Sequence, residues 1–180
     1  MIAKEGVEAT YRGPGKSAFF FGVLAAVIVS DLLTKELIQA SMSLYQQVNL
    51  VGDYLRLTFI YNPGAAFGVH LGPHTRAIFL VLSIAALIAL GALYRATPEG
   101  DRVRLASIAL VCGGAIGNLV DRLRSARGVV DFIDIGLGDL RWPVFNIADI
   151  GVTVGAIFLA LSLLRDDYGH PRDRGRRRTV

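Results

Sequence analysis

The chain has 180 residues, 53% of them hydrophobic, a positive mean hydropathy of +0.48 and a formal net charge of +4. One-domain length with this much apolar content excludes an ordinary soluble globular protein and indicates an integral membrane protein. The single cysteine, Cys112, excludes an intrachain disulfide framework and, lying among small apolar residues, reads as packing.

Residues 1–16 are polar and carry no motif, and no function is assigned to them. The first apolar segment, residues 17–40, has a basic flank, but its apolar run to Ser30 is followed by Asp31, Lys35 and Glu36 rather than a small-residue cleavage site, so it reads as a retained helix. Asp31 and Lys35 stand four apart on one helical face, as an ion pair or as the brace of a polar site. The long loop 41–74 contains Tyr54-Leu-Arg-Leu-Thr-Phe-Ile-Tyr61, a strand-like run rich in aromatic and β-branched residues. It ends in Asn62-Pro-Gly-Ala-Ala-Phe-Gly68, a turn whose small residues, Gly64 among them, let backbone approach another surface closely. His70 and His74 follow without a third ligand, so a metal site is not expected.

Residues 75–94 form the second apolar segment, of which 77–94 carry no charge; at about 1.5 Å per residue this nearly crosses a ~30 Å hydrocarbon core. The third, residues 104–120, holds Gly113, Gly114, Ala115 and Gly117, a small face suited to close helix contact. Asn118 follows, with Asp121 and Arg122 three and four residues on, so that it shares a face with one or the other. Val129-Val-Asp-Phe-Ile-Asp-Ile135 alternates like a second strand, and its period of two puts Asp131 and Asp134 on opposite faces. Pro143 and Asn146-Ile-Ala-Asp149 announce the fourth segment, residues 145–164, with Asn146 as cap and Asp149 in the first turn. Residues 165–180 form an arginine-rich tail. Together these imply an all-α membrane protein with four transmembrane helices and a small β-sheet on its outer face, in one domain.

Charge sets the orientation. Three Lys or Arg precede the first helix, three lie between the second and third, and six follow the fourth, which places twelve of nineteen on one side of an alternating bundle. By the positive-inside rule both termini are cytoplasmic and the loops 41–74 and 121–144 face outward. The basic tail then reads as a topology signal or a contact with membrane lipids, not a nucleic-acid patch.

Asp31, Asn62, Asn118, Arg122, Asp131, Asn146 and Asp149 all fall toward the outer boundary, where one active site would account for them together. Two carboxylates sharing a site hold one proton between them and can act as base and acid on water and a carbonyl. Asp131 and Asp149 are the candidates. The sequence has no zinc-protease, serine-hydrolase or phosphate-loop signature, and no cofactor is expected. Two competing readings are an ion- or proton-coupled transporter, which would need polar groups through the membrane depth, and a metal-dependent headgroup transferase using Asp121, Asp131 and Asp134. The opposite strand faces of Asp131 and Asp134 count against the second.

Five ordered blocks resemble the bacterial lipoprotein signal peptidases (signal peptidase II): Asp31 with Thr34 and Lys35; Asn62 to Gly68; Gly113-Gly-Ala-Ile-Gly-Asn-Leu-Val-Asp-Arg122; Val129 to Asp134; and Phe145-Asn-Ile-Ala-Asp149. The resemblance spans residues 17–164. It implies an inner-membrane aspartic endopeptidase that cuts prolipoproteins just before their diacylglyceryl cysteine; apart from the resemblance, no metal and a monomer are expected. By position it implies Asp131 and Asp149 as the catalytic pair, with Asn62, Gly64, Asn118, Arg122 and Asn146 around them and Asp31 and Lys35 in support. The ends of the chain match none of these blocks.

Overall fold

The computed structural model describes residues 15–64 and 72–169. Residues 1–14, the end of the small-residue run at 65–68, His70 and the end of the basic tail lie outside the described residues.

Among the described residues four helices are long and apolar enough to cross a membrane: α1 (Lys16–Ser41), α2 (Thr75–Ala96), α3 (Arg102–Arg124) and α4 (Ile147–Gly169). Between α1 and α2 lie β1 (Gln47–Val51) and β2 (Leu55–Asn62); between α3 and α4 lie β3 (Val129–Leu137) and β4 (Leu140–Arg141). The four strands form one antiparallel sheet in chain order. Because both strand pairs lie in alternate connections, the sheet caps one end of an up-and-down bundle. At the other end Lys16 Nζ donates to the Thr97 carbonyl (2.5 Å), and the Lys16 amide donates to Glu99 Oε1 (2.9 Å), tying the start of α1 to the α2–α3 turn.

Helix ends differ from the sequence expectation for physical reasons. α3 runs on to Arg124, so Asp121 and Arg122 belong to its last turns, where both find partners. Phe145 is not helical: it pairs with Ile133 of β3, and α4 begins only after it. α4 then continues through Arg165 to Gly169, because charges do not break a helix and neither Gly nor Pro occurs between 156 and 168. Its membrane-spanning part ends at Arg165, and the helix runs past it into the start of the tail. β1 and β4 were not legible: β1 is exposed along its whole length and shows no buried face, and β4 is two residues long.

The core sits around α3. Phe20 of α1 packs with Ile108, Ala109 and Cys112 of α3. A second cluster, Ile38, Phe59, Val130 and Phe132, joins α1 to the underside of the sheet. α2 touches chiefly α3 and its spanning segment is not buried, as expected for a helix facing lipid. Close approach is what the glycines of α3 supply. A Cβ on Gly114 would run into the Ala148 carbonyl of α4, and one on Gly117 into the Asp31 carboxylate of α1. Gly114→Ala should therefore cost about 2 kcal/mol by overpacking, lowering the unfolding midpoint in detergent by several degrees. An unchanged midpoint would mean that the α3–α4 interface relaxes freely.

Candidate active site

The site is built where α4 starts. Asn146 occupies the cap position and Asp149 the third helical residue, and they bond reciprocally. The Asp149 amide donates to Asn146 Oδ1 (3.0 Å) and the Asn146 amide donates to Asp149 Oδ2 (3.2 Å), a capping box. The next free amide of that turn, Ala148, donates to Asp31 Oδ1 at 2.9 Å. So a carboxylate from α1, 117 residues earlier, completes the start of α4.

Asp131 is brought to this turn by strand pairing. The Phe132 and Ile133 amides donate to the Phe145 carbonyl (3.0 and 2.7 Å), and the Phe145 amide donates to the Ile133 carbonyl (3.0 Å). That seats Asn146 beside Asp131, and Asn146 Nδ2 donates to Asp131 Oδ1 at 2.7 Å. Asn146 thus touches both acids, with its side chain on Asp131 and its backbone on Asp149. Asn62, at the end of β2, donates from Nδ2 to Asp131 Oδ2 (2.9 Å), and its Oδ1 accepts from the Gly64 amide (3.0 Å). Asn118 of α3 donates to Asp149 Oδ1 at 2.8 Å.

Asp131 is 1% exposed. Burial raises its carboxyl to about 7 and the neighbouring charge of Asp149 adds to the rise, against the bonds from Asn62 and Asn146. A group at that value holds its proton up to the neutral range, which is the condition two carboxylates need to share a site.

Behind the pair lies a charged layer. Lys35 is 1% exposed; its ammonium donates to Asn118 Oδ1 (2.9 Å) and forms ion pairs with Asp31 Oδ2 and Asp121 Oδ2, both at 2.8 Å. Both readings of the Asp31 and Lys35 spacing therefore hold, an ion pair that also braces the site. Asp121 forms an ion pair with Lys35 and accepts from the Val130 amide (3.2 Å). Arg122 Nη1 donates to the Asn118 carbonyl and Nη2 to the Gly64 carbonyl, both at 3.2 Å, so it ties the Asn-Pro-Gly turn to α3. Its charge lies within electrostatic reach of Asp149, Asp131 and Asp121.

All nine residues singled out from the sequence are thus linked through one network of hydrogen bonds and ion pairs. Missed were contributions with no side-chain signature, the Ala148 and Val130 amides, and Arg76, whose Nε donates to the Arg122 carbonyl (2.8 Å). The trio Asp121, Asp131 and Asp134 does not gather: Asp121 goes to Lys35, and Asp134 goes to Arg56 and Arg141 on β2 and β4. Among the described residues no group of three or more His, Cys, Asp or Glu is placed to hold a metal ion. Beside Asp149 opens a cavity of about 300 Å³, mostly apolar, lined among others by Asn62, Trp142, Phe145, Ile150 and Val154.

Comparison with known proteins points one way. The family model described as "Signal peptidase (SPase) II" matches residues 23–165. A relative from Geobacter metallireducens named "Lipoprotein signal peptidase" is 34% identical over 85% of this chain and 95% of its own length. Another of that name, from Treponema denticola, is 41% identical over 80% of this chain and 87% of its own length. A solved structure titled as a bacterial membrane enzyme obtained by the in meso method at 2.3 Å superposes with a TM-score of 0.74. It is 29% identical and covers 89% of this chain and 94% of its own. A second, at 1.9 Å, gives a TM-score of 0.72 at 32% identity, over 82% and 93% of the two chains.

Proposed function

Since the chain belongs to the signal peptidase II family, membrane proteases that remove signal peptides from prolipoproteins, we propose that it is an aspartic endopeptidase using Asp131 and Asp149. The observation that carries this reading is the shared grip of Asn146 on two carboxylates, one of them raised to about 7. Asp149, ionised, takes a proton from a water as its oxygen attacks the scissile carbonyl carbon. Asp131, protonated, gives its proton to the carbonyl oxygen. On collapse the C–N bond breaks, the proton held by Asp149 passes to the leaving nitrogen, and Asp131 recovers its own.

The bond cut is the one just before a diacylglyceryl-modified cysteine, and the apolar cavity beside Asp149 suits the apolar residues that flank it. Arg122 and Asn62 hold the Asn62–Gly64 turn over the pair. The sorted charges of the sequence favour an inner-membrane protein with both termini cytoplasmic and the sheet end outward, working as a monomer among membrane lipids.

The test is cleavage of a purified prolipoprotein, with and without its diacylglyceryl group, by the chain in detergent. Only the modified substrate should be cut, and failure to cut it sinks the reading. The rate should fall as pH rises through about 7, where Asp131 loses the proton it must donate. Folding stability has the same sign. The folded chain keeps a proton that the unfolded chain releases above 3.8, so stability falls between that pH and about 7, and Asp131→Asn should remove this slope.

A further inference from the structure

Asp134 lies three residues beyond Asp131 on β3 and takes no part in the chemistry above, yet it is 2% exposed and held by three side chains. Arg56 Nε on β2 donates to its Oδ2 at 2.6 Å, Thr58 Oγ1 on β2 to the same oxygen at 2.7 Å, and Arg141 Nε on β4 to its Oδ1 at 2.6 Å. Arg141 also donates from Nη2 to the Asp134 carbonyl (3.2 Å) and from Nη1 to the Asp53 carbonyl (2.9 Å) in the β1–β2 turn. One carboxylate thus fastens β3 to both neighbouring strands and, through Arg141, to that turn.

Its position matters because the β2–β3 pairing changes register next to it. Arg56 stands opposite Asp134 and Leu57 opposite Ile133, but the following partners are Ile60 with Asp131, Tyr61 with Val130 and Asn62 with Val129. Thr58 and Phe59 therefore face a single residue, Phe132, in a β-bulge. A bulge inserts an unpaired residue at a cost to the ladder, so it needs something to hold it, and bulges beside active sites re-aim side chains. Thr58 is itself a bulge residue, and its hydroxyl is spent on Asp134. Without the bulge, pairing would continue one to one from Leu57, setting Val130 opposite Ile60 and Asp131 opposite Phe59. That slip turns Asp131 relative to Asn62 and strains its bond to Asn146, since a shift of one residue moves side chains to the other face.

We propose that Asp134, gripped by Arg56, Thr58 and Arg141, is a positioning residue that pins the Thr58–Phe59 bulge and so sets the register in which Asp131 meets Asp149. The proposal rests on the peptidase reading for its catalytic consequence, but not for its structural one.

Two readouts test it in Asp134→Asn, with Thr58→Val as the milder variant if the first folds poorly. In the prolipoprotein assay, kcat per folded enzyme should drop at least about tenfold for Asp134→Asn and about threefold for Thr58→Val, with KM within about twofold, because misplacing a reacting group costs rate more than binding. The second readout needs no activity. In a Cys112→Ala background, paired cysteines at Tyr61 and Val130 should cross-link while Asp134 is present. In Asp134→Asn that yield should fall and cross-linking of a pair at Ile60 and Val130 should rise. If wild type cuts no prolipoprotein, the peptidase reading fails and the cross-links alone decide the register. A kcat within about twofold of the parent in both folded variants, or cross-linking unchanged by Asp134→Asn, overturns the proposal.

Discussion

Asp131→Asn and Asp149→Asn should each lower the cleavage rate by at least about a thousandfold, within the range that acid–base groups contribute. The substitution changes little else. In Asp131 both carboxylate oxygens accept, one from Asn146 and one from Asn62, so an amide at this position turns one acceptor into a donor facing a donor. That mismatch costs about 1–3 kcal/mol. At Asp149 the corresponding mismatch falls on the bond from Asn118 or from the Asn146 amide. Both variants should therefore purify as folded protein with unfolding midpoints within several degrees of the parent. The measurement is kcat on a diacylglyceryl-modified prolipoprotein, and a rate within about tenfold of the parent in either variant sinks the pair.

Lys35→Met should produce the largest loss of stability. Methionine nearly matches the volume, but it leaves the Asp31 and Asp121 carboxylates without their shared counter-charge, and Asp31 is fully buried. Removing one partner of a buried ion pair costs about 3–5 kcal/mol because the charge left behind has no solvent. For a chain of this size that corresponds to a midpoint lowered by about 10 °C in detergent. Activity should fall with it, since Lys35 also donates to Asn118, which in turn donates to Asp149. A midpoint within about 2 °C of the parent would show that the two carboxylates take up protons at little cost.

The membrane helices were legible because hydrocarbon thickness imposes a length and an apolarity that a sequence displays openly. The polar site was legible for the complementary reason, that Asp31, Lys35, Asn118 and Asp149 are costly near hydrocarbon and stand out against it. What could not be read is which partner each group chooses. Asp121 and Arg122 are neighbours in sequence, but a helix turns them about 100° apart, and Asp121 points to Lys35 on α1 while Arg122 points to the Gly64 carbonyl. Strand parity separated Asp134 from Asp131 correctly, yet said nothing of the two arginines waiting on the neighbouring strands. The Ala148 amide, which fastens α1 to α4, belongs to a residue whose side chain carries no polar atom.

That fastening has a bearing on biogenesis. A chain threaded into the membrane from its N-terminus delivers Asp31 and Lys35 early, whereas their partners Asn118 and Asp121 arrive with α3 and the Ala148 amide only with α4. Until then the pair on α1 must draw its solvation from water at the membrane boundary, and half of the proposed catalytic pair has not been synthesised. The carboxylate that completes the start of α4 thus makes maturation of the enzyme conditional on the docking of its last helix against its first.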